Sequence, residues 1–228
     1  MTPLSDQVYR ELKRRLTLWE YVPGSRLAED TVAQGFDVSR TPVRDALRRL
    51  EREGFLEHQP WSGYRVRIPD LGRIEELYEI RLALEETGVR RLACASSLEA
   101  IAELLQAWDD PSEATAEPDA DLVYADEHFH ETLAGLSGNM SLYELIRSVN
   151  EHIRIIRVND FLDPQRVADT YRQHREVLGA ILRRDPDASA YLLRAHILES
   201  QSYVRVAAAR ALERAYSRRP TAWAAVQA

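Results

Sequence analysis

The sequence predicts a mainly α chain in two parts, an N-terminal winged helix-turn-helix followed by an all-α helical bundle. Three observations predict it. Helical apolar spacing runs through residues 5–54 and gives way to two short alternating segments around the turn Pro60-Trp61-Ser62-Gly63. After Pro69-Asp70-Leu71-Gly72 every apolar stripe has helical spacing. The charge is divided the same way. The first 69 residues carry 12 Lys+Arg against 10 Asp+Glu, and the rest carry 18 against 27, within a net charge of −7. A mildly basic head on an acidic body fits a nucleic-acid reader with a separate sensing or dimerising part.

In the head, Val8, Leu12, Leu16 and Leu18 define a first amphipathic helix, with Ser5-Asp6 as its cap. Val22-Pro23-Gly24-Ser25 reads as a turn and residues 27–33 as a short second helix. Ser39 caps a third helix over 41–54, where Pro42 is tolerated in the first turn and Gly54 ends it. Val43, Ala46, Leu47 and Leu50 share one face of it. Residues 55–58 and 64–68 read as the strands of a wing. The domain boundaries are therefore 1–69, a linker at 70–72, a bundle over 73–216 and a frayed tail over 217–228. Bundle helices are expected at 73–95, 98–108, 120–137, 141–159, 164–184 and 186–216, with a loop over 109–119.

Composition excludes some classes. Hydrophobic residues at 45% and charged residues at 29% are ordinary for a globular protein and too apolar for a disordered one. The lone cysteine, Cys94, suits a reducing cytoplasm. The first residues show no signal peptide, and no apolar run approaches the roughly 18 residues of a membrane span.

A recognition helix places its first residues near base edges in the major groove. Arginine reads guanine through O6 and N7. Arg40 and Arg44 stand one turn apart at the start of the third helix, beside Ser39 and Thr41, with Arg48 one turn further toward the backbone. Arg65 and Arg67 on the wing suit phosphates or a minor groove, and Gly63 admits close approach of the wing tip. Taken singly, each arginine could equally be part of a solvated face. The run Val38-Ser39-Arg40-Thr41-Pro42-Val43-Arg44-Asp45-Ala46-Leu47, with Leu50 to Leu56 and Gly63-Tyr64-Arg65-Val66, closely resembles the winged helix of the GntR family over residues 5–68. The departure is Gly35-Phe36-Asp37, where the family places a leucine and then a glycine. The resemblance implies a DNA-binding regulator, not an enzyme. A single short winged helix reads few base pairs, so a homodimer on palindromic double-stranded operator DNA is expected.

Polar residues interrupt the apolar stripes of the bundle. Leu122, Asp126, Phe129, Leu133 and Leu136 recur at spacings of four and three, with His130 at the same edge. Val167, Tyr171, His174, Leu178 and Ile181 form a second stripe, and His196 shares a face with Leu192, Glu199 and Tyr203. One carboxylate and three imidazoles on three helices thus face one core, and buried polar groups need partners. A divalent metal with mixed N/O ligands satisfies all four at once; separate hydrogen bonds within the core are the alternative. Ile74, Leu77, Arg81, Leu84 and Gly88 line the inner face of the first bundle helix. A buried Arg81 needs an anion, supplied either by Glu85 or another acid, or by a ligand.

Asp126-Glu127-His128-Phe129-His130, Ser137-Gly138-Asn139, His174 with Leu178 and Asp185, and His196 resemble the FCD effector domain of FadR-type GntR regulators over 73–214. Six helices rather than seven look closer to its shorter VanR-like form. The resemblance implies that Asp126, His130, His174 and His196 hold a metal, zinc first, with nickel, manganese or iron as alternatives. It further implies a small carboxylate effector on Arg81, with Asn150, Arg154 and Tyr203 as further contacts. The other expectations from the same residues are a metal that is itself the signal, a purely structural metal, and a catalytic one.

Overall fold

The computed structural model describes residues 3–95, 97–108, 122–158, 161 and 163–217. Its contacts gather into two compact units. One runs from Asp70 to Arg205, and the other holds residues 3–69 together with residues 206–217.

The first unit is built on three helices, α1 (Leu4–Thr17), α2 (Glu29–Phe36) and α3 (Arg40–Arg52), and three strands, β1 (Arg26–Leu27), β2 (Leu56–Gln59) and β3 (Gly63–Val66). The strands form an antiparallel sheet in the order β1-β3-β2, with Arg26 opposite Arg65 and Gln59 opposite Gly63. Val8, Leu12 and Leu16 of α1 are buried, as are Val43, Leu47 and Leu50 of α3, and the two helices pack on each other. The sheet closes this core with Leu56, Tyr64 and Val66, and Phe55 joins them just before β2, all buried.

Several local expectations are corrected. α1 starts at Leu4, with Pro3 rather than Ser5-Asp6 in the cap position. It ends at Thr17, so Leu18 is exposed while Trp19 and Tyr21 fill the core. Arg26–Leu27 is a strand, and α2 begins only at Glu29. A two-residue strand has no periodicity to read; it is made by pairing with β3. The α2–α3 turn places Asp37 in the left-handed region at φ 52°, which aspartate tolerates and which replaces the usual glycine. Gly54, at φ +82°, lets the chain turn from α3 into β2.

Among the described residues the second unit is helical: α4 (Leu71–Ala93), α5 (Glu99–Trp108), α6 (Leu122–Leu136), α7 (Met140–Arg157), α8 (Pro164–Leu182) and, as far as Arg205, α9 (Pro186–Ser217). Asp70, Asn139 and Asp163 cap α4, α7 and α8 through side-chain oxygens, satisfying backbone N–H groups that a helix start leaves open. α4 is central, packing against α6, α7 and α8, while α6 packs on α7 and α5 on α8. α9 is fastened to α4 by Arg194–Glu86 at 2.7 Å and Arg205–Glu75 at 3.1 Å, and by the buried Tyr78–Ser200 hydroxyl pair at 3.1 Å. The loop expected over 109–119 and the tail expected after 217 lie outside the described residues. Among the described residues no helix is long and apolar enough to cross a membrane.

Gly63 has a structural reason of its own. Its φ is +86°, and a Cβ there would stand 2.9 Å from the Leu27 carbonyl oxygen on β1. Gly63→Ala is therefore expected to destabilise the chain by about 1–3 kcal/mol in urea unfolding, from backbone strain and the β1 clash. Unchanged stability with lost DNA binding would instead leave Gly63 with a role in DNA approach alone.

Candidate metal centre and DNA-reading face

Asp126 and His130 stand one turn apart on α6, His174 is mid-α8 and His196 is on α9. All four are buried, and one ligand atom from each lies within 4.8 Å of every other. The three imidazoles meet through Nε2. His174 Nε2 is 3.3 Å from His196 Nε2, which is 3.3 Å from His130 Nε2. Asp126 completes the ring, with Oδ2 3.5 Å from His130 Nε2 and Oδ1 3.5 Å from His174 Nε2.

The outer side of this ring fixes what the inner side can do. His130 Nδ1 is 2.5 Å from Glu85 Oε2, and His196 Nδ1 is 2.7 Å from Gln173 Oε1. An amide oxygen only accepts, so His196 carries its proton on Nδ1 and turns an Nε2 lone pair to the centre. The Glu85 carboxylate sets His130 in the same sense. Such lone pairs repel unless something positive lies between them, and Asp126 Oδ1 has no hydrogen-bond partner. His174 is oriented by packing instead. It stacks on Phe129 at 3.6 Å between centroids and meets Trp108 edge-on at 4.3 Å. A donor set of three neutral imidazoles and one carboxylate suits a divalent cation.

The electrostatics agree with that donor set. Burial holds His174 and His196 well below the ordinary 6.5, and lowers His130 as well, so all three are neutral ligands at neutral pH. Burial opposes ionisation of Asp126, but the Arg157 guanidinium outweighs it and holds the carboxyl well below its usual range. Glu85 is likewise buried, yet His130 and Arg81 lower it to about 2.

Arg81 is fully buried and donates from Nε to Glu85 Oε1 at 2.5 Å, the internal ion pair weighed from the sequence. Its Nη1 and Nη2 have no hydrogen-bond partner. The other three effector candidates do not bond to the four-residue ring. Arg154 is held by Glu127 at 2.7–3.0 Å, Asn150 donates to Glu131 at 3.1 Å, and the Tyr203 ring lies 5.4 Å from the Arg166 guanidinium. Sequence reasoning missed Arg157, fully buried and bonded through Nη2 to Asp126 Oδ2. The signal was available: Arg157 follows buried Asn150 and Ile153 by seven and four residues, on the inner face of α7.

On the first unit, Ser39, Arg40, Thr41, Arg44 and Arg48 are all exposed along the start and middle of α3, and Arg65 and Arg67 are exposed on and just after β3. The Ser39 side chain makes no cap bond. Acids at the start of α2 hold the two leading arginines. Arg44 reaches Glu29 with Nη2 at 2.9 Å and Nε at 3.2 Å, and Arg40 pairs with Asp30. The sequence reading also passed over Trp61, fully exposed at the wing tip, and Arg26, whose Nε donates to the Ser62 carbonyl at 2.5 Å.

The buried histidines have a consequence for pH. Their folded pKa values lie below the ordinary 6.5, so the unfolded chain takes up protons first as pH falls. The stability this contributes is present above 6.5 and is lost below it, by about 1.4 kcal/mol per pH unit per histidine. Chelator-treated protein should thus unfold at progressively lower urea between pH 7 and pH 5. A flat profile would contradict the buried, neutral arrangement.

Comparison with known proteins covers most of the chain. Residues 4–66 match the family described as bacterial regulatory proteins, gntR family, and residues 76–199 match the FCD domain. The chain is 34% identical over 183 residues to the Nta operon transcriptional regulator of Aminobacter aminovorans, covering 78% of this chain and 84% of that one. It is 26% identical to the HTH-type transcriptional repressor RspR of Escherichia coli over 89% of this chain and 90% of the other. In three dimensions it resembles E. coli McbR/YncC with a TM-score of 0.62 at 22% identity, over 90% of this chain and 99% of that one, which speaks to the fold. The matched families are regulators rather than enzymes. This chain belongs to the GntR family of transcription regulators, a DNA-binding winged helix-turn-helix joined to an FCD domain for a small-molecule effector.

Proposed function

We propose that the protein is a cytoplasmic repressor that binds a palindromic operator as a homodimer and responds to a small carboxylate at a metal centre in its FCD domain. The observation that carries this reading is the ring of three inward-facing Nε2 atoms and one carboxylate, a donor set that suits a divalent cation. Asp126, His130, His174 and His196 would hold the metal. Three imidazoles and one carboxylate suit zinc first, with nickel, manganese or iron as alternatives. A bound divalent ion supplies a Lewis-acidic point of attachment for an anionic oxygen. Arg81, with two unused nitrogens beside Glu85, faces the anion from the protein side. Asn150, Arg154 and Tyr203 stay as secondary contacts only, because the first two already serve Glu131 and Glu127.

Effector binding would draw on groups from α4, α6, α8 and α9 together, and so bias the dimer between DNA-binding states. Exposed Met140 and Leu145 on α7, and Tyr191 and Leu198 on α9, support a contact between two copies. The spread of the ring over three helices favours a second reading as well, in which the metal alone is the signal. Operator titrations with metal alone, and with metal plus a panel of carboxylates, separate the two.

In the head, Arg40, Thr41 and Arg44 would read bases, with Ser39 and Arg48 on phosphates. The wing, through Gly63, Arg65 and Arg67, would follow the backbone or a minor groove. Arg44→Ala is expected to weaken specific binding by about 1–3 kcal/mol per half-site, while random duplex DNA is bound almost as before. Equal losses on both DNAs would remove Arg44 from base reading. His174→Ala is expected to lose metal, read by elemental analysis, and carboxylate response together. A variant that keeps full carboxylate affinity without metal would make the metal structural.

A further inference from the structure

We propose that Glu29 and Asp30, the first two residues of α2, set the specificity of DNA reading by fixing which edge of Arg44 and Arg40 meets the bases. The inference rests on the base-reading roles proposed above for those two arginines and adds the residues that aim them.

The first observation is which nitrogens the acids take. Glu29 accepts from Arg44 Nε at 3.2 Å and from Nη2 at 2.9 Å, along one side of the guanidinium. Asp30 pairs with Arg40 through Nε as well. A guanidinium carries its N–H donors in one rigid plane, some along the Nε side and some at the far end. A carboxylate on the Nε side leaves the far-end pair, one N–H from each Nη, for another acceptor. Such a pair is a fork that matches O6 and N7 of guanine. Both arginines are exposed at the start of α3, four residues apart on one helix face, so two such forks are offered together. Exposed ion pairs add little to folding. What they decide here is the rotamer of a long side chain that has many to lose.

The second observation is charge. Each of the two leading arginines is matched by one acid, so these four side chains together carry no net charge. Phosphate contacts supply most of the affinity for DNA of any sequence. A phosphate meeting either arginine brings its negative charge close to a carboxylate, whereas a guanine edge brings two acceptors and no net charge. The pairs therefore turn both arginines from phosphate toward guanine and weaken binding to other sequences. Acids in the first turn of α2 also suit the helix dipole, a role that needs no arginine. The two roles differ in what removal of the charge does to sequence preference.

The test uses the full chain in selection from a random-sequence duplex library. The enriched duplex and a scrambled one are then titrated at several salt concentrations. The unmutated chain is expected to enrich guanine at positions that Arg40→Ala and Arg44→Ala lose. Asp30→Asn and Glu29→Gln keep side-chain shape and remove the charge. Each should lower the ratio of enriched to scrambled affinity about fivefold or more, the value of one bidentate base contact. Scrambled DNA should be bound more tightly by both, with a log–log salt slope steeper by about 0.9 for each arginine released to a phosphate. Asp30→Glu restores the charge and should restore most of the ratio. A ratio unchanged in both neutral variants overturns the inference, even if both DNAs are bound more tightly or the melting temperature falls. Guanine enrichment lost in the arginine variants but kept in the acid variants overturns the aiming role and leaves base reading standing. An enriched sequence that neither arginine variant alters overturns both.

Discussion

The bundle is organised by one constraint: three imidazole lone pairs and a carboxylate oxygen are forced together where water does not reach. Each is costly to bury alone. A cation among them would offset that cost, and the surrounding side chains suit one. Gln173 and Glu85 occupy the outer nitrogens of His196 and His130 and so turn their inner nitrogens to the centre. Phe129 and Trp108 clamp the His174 ring from its face and edge. Arg157 keeps Asp126 ionised in a place where it would otherwise take up a proton.

The helices follow from the same requirement. α6 brings two ligands one turn apart, and α8 and α9 bring one each, so no single hairpin can assemble the ring. α4 contributes no ligand but passes through the middle, and its Tyr78, Arg81 and Glu85 form the layer around the ring. Ion pairs at the exposed edge, such as Arg194–Glu86, are worth little each in water. The position of α9 against α4 therefore depends chiefly on its buried face, where Leu193, Ile197, Ser200 and Val204 accompany His196. In the head, a different economy holds. The acids Glu29 and Asp30 pair with Arg44 and Arg40, which restricts the rotamers of the two arginines.

Legibility in the sequence followed periodicity. Asp126, His130, His174 and His196 could be found because each interrupts an apolar stripe of period 3.6. α3 and its arginines could be found for the same reason, strengthened by the Ser39-to-Arg44 motif. Arg81 was legible as buried, but its Glu85 partner decided only one edge of its guanidinium. On α7 the expected effector contact is Arg154, which is tied to Glu127; the residue bonded to Asp126 is Arg157, three positions later. Glu85 was readable as a partner of Arg81 but not of His130, and Gln173 not as a partner of His196, because such a partner is defined by which nitrogen it touches and not by spacing. β1 and the left-handed Asp37 depend on tertiary pairing and on a turn that departs from the family pattern, and neither leaves a periodic trace.

The account turns on the ring being a metal site. X-ray absorption at the zinc edge, on protein reconstituted with one equivalent of zinc, tests it directly. The account predicts stoichiometric zinc with three imidazoles, recognised by their outer-shell scattering, and oxygen ligands, all at about 2.0–2.2 Å. Zinc that binds below stoichiometry, or that shows fewer than three imidazoles, or that shows the same spectrum in His174→Ala, would contradict it.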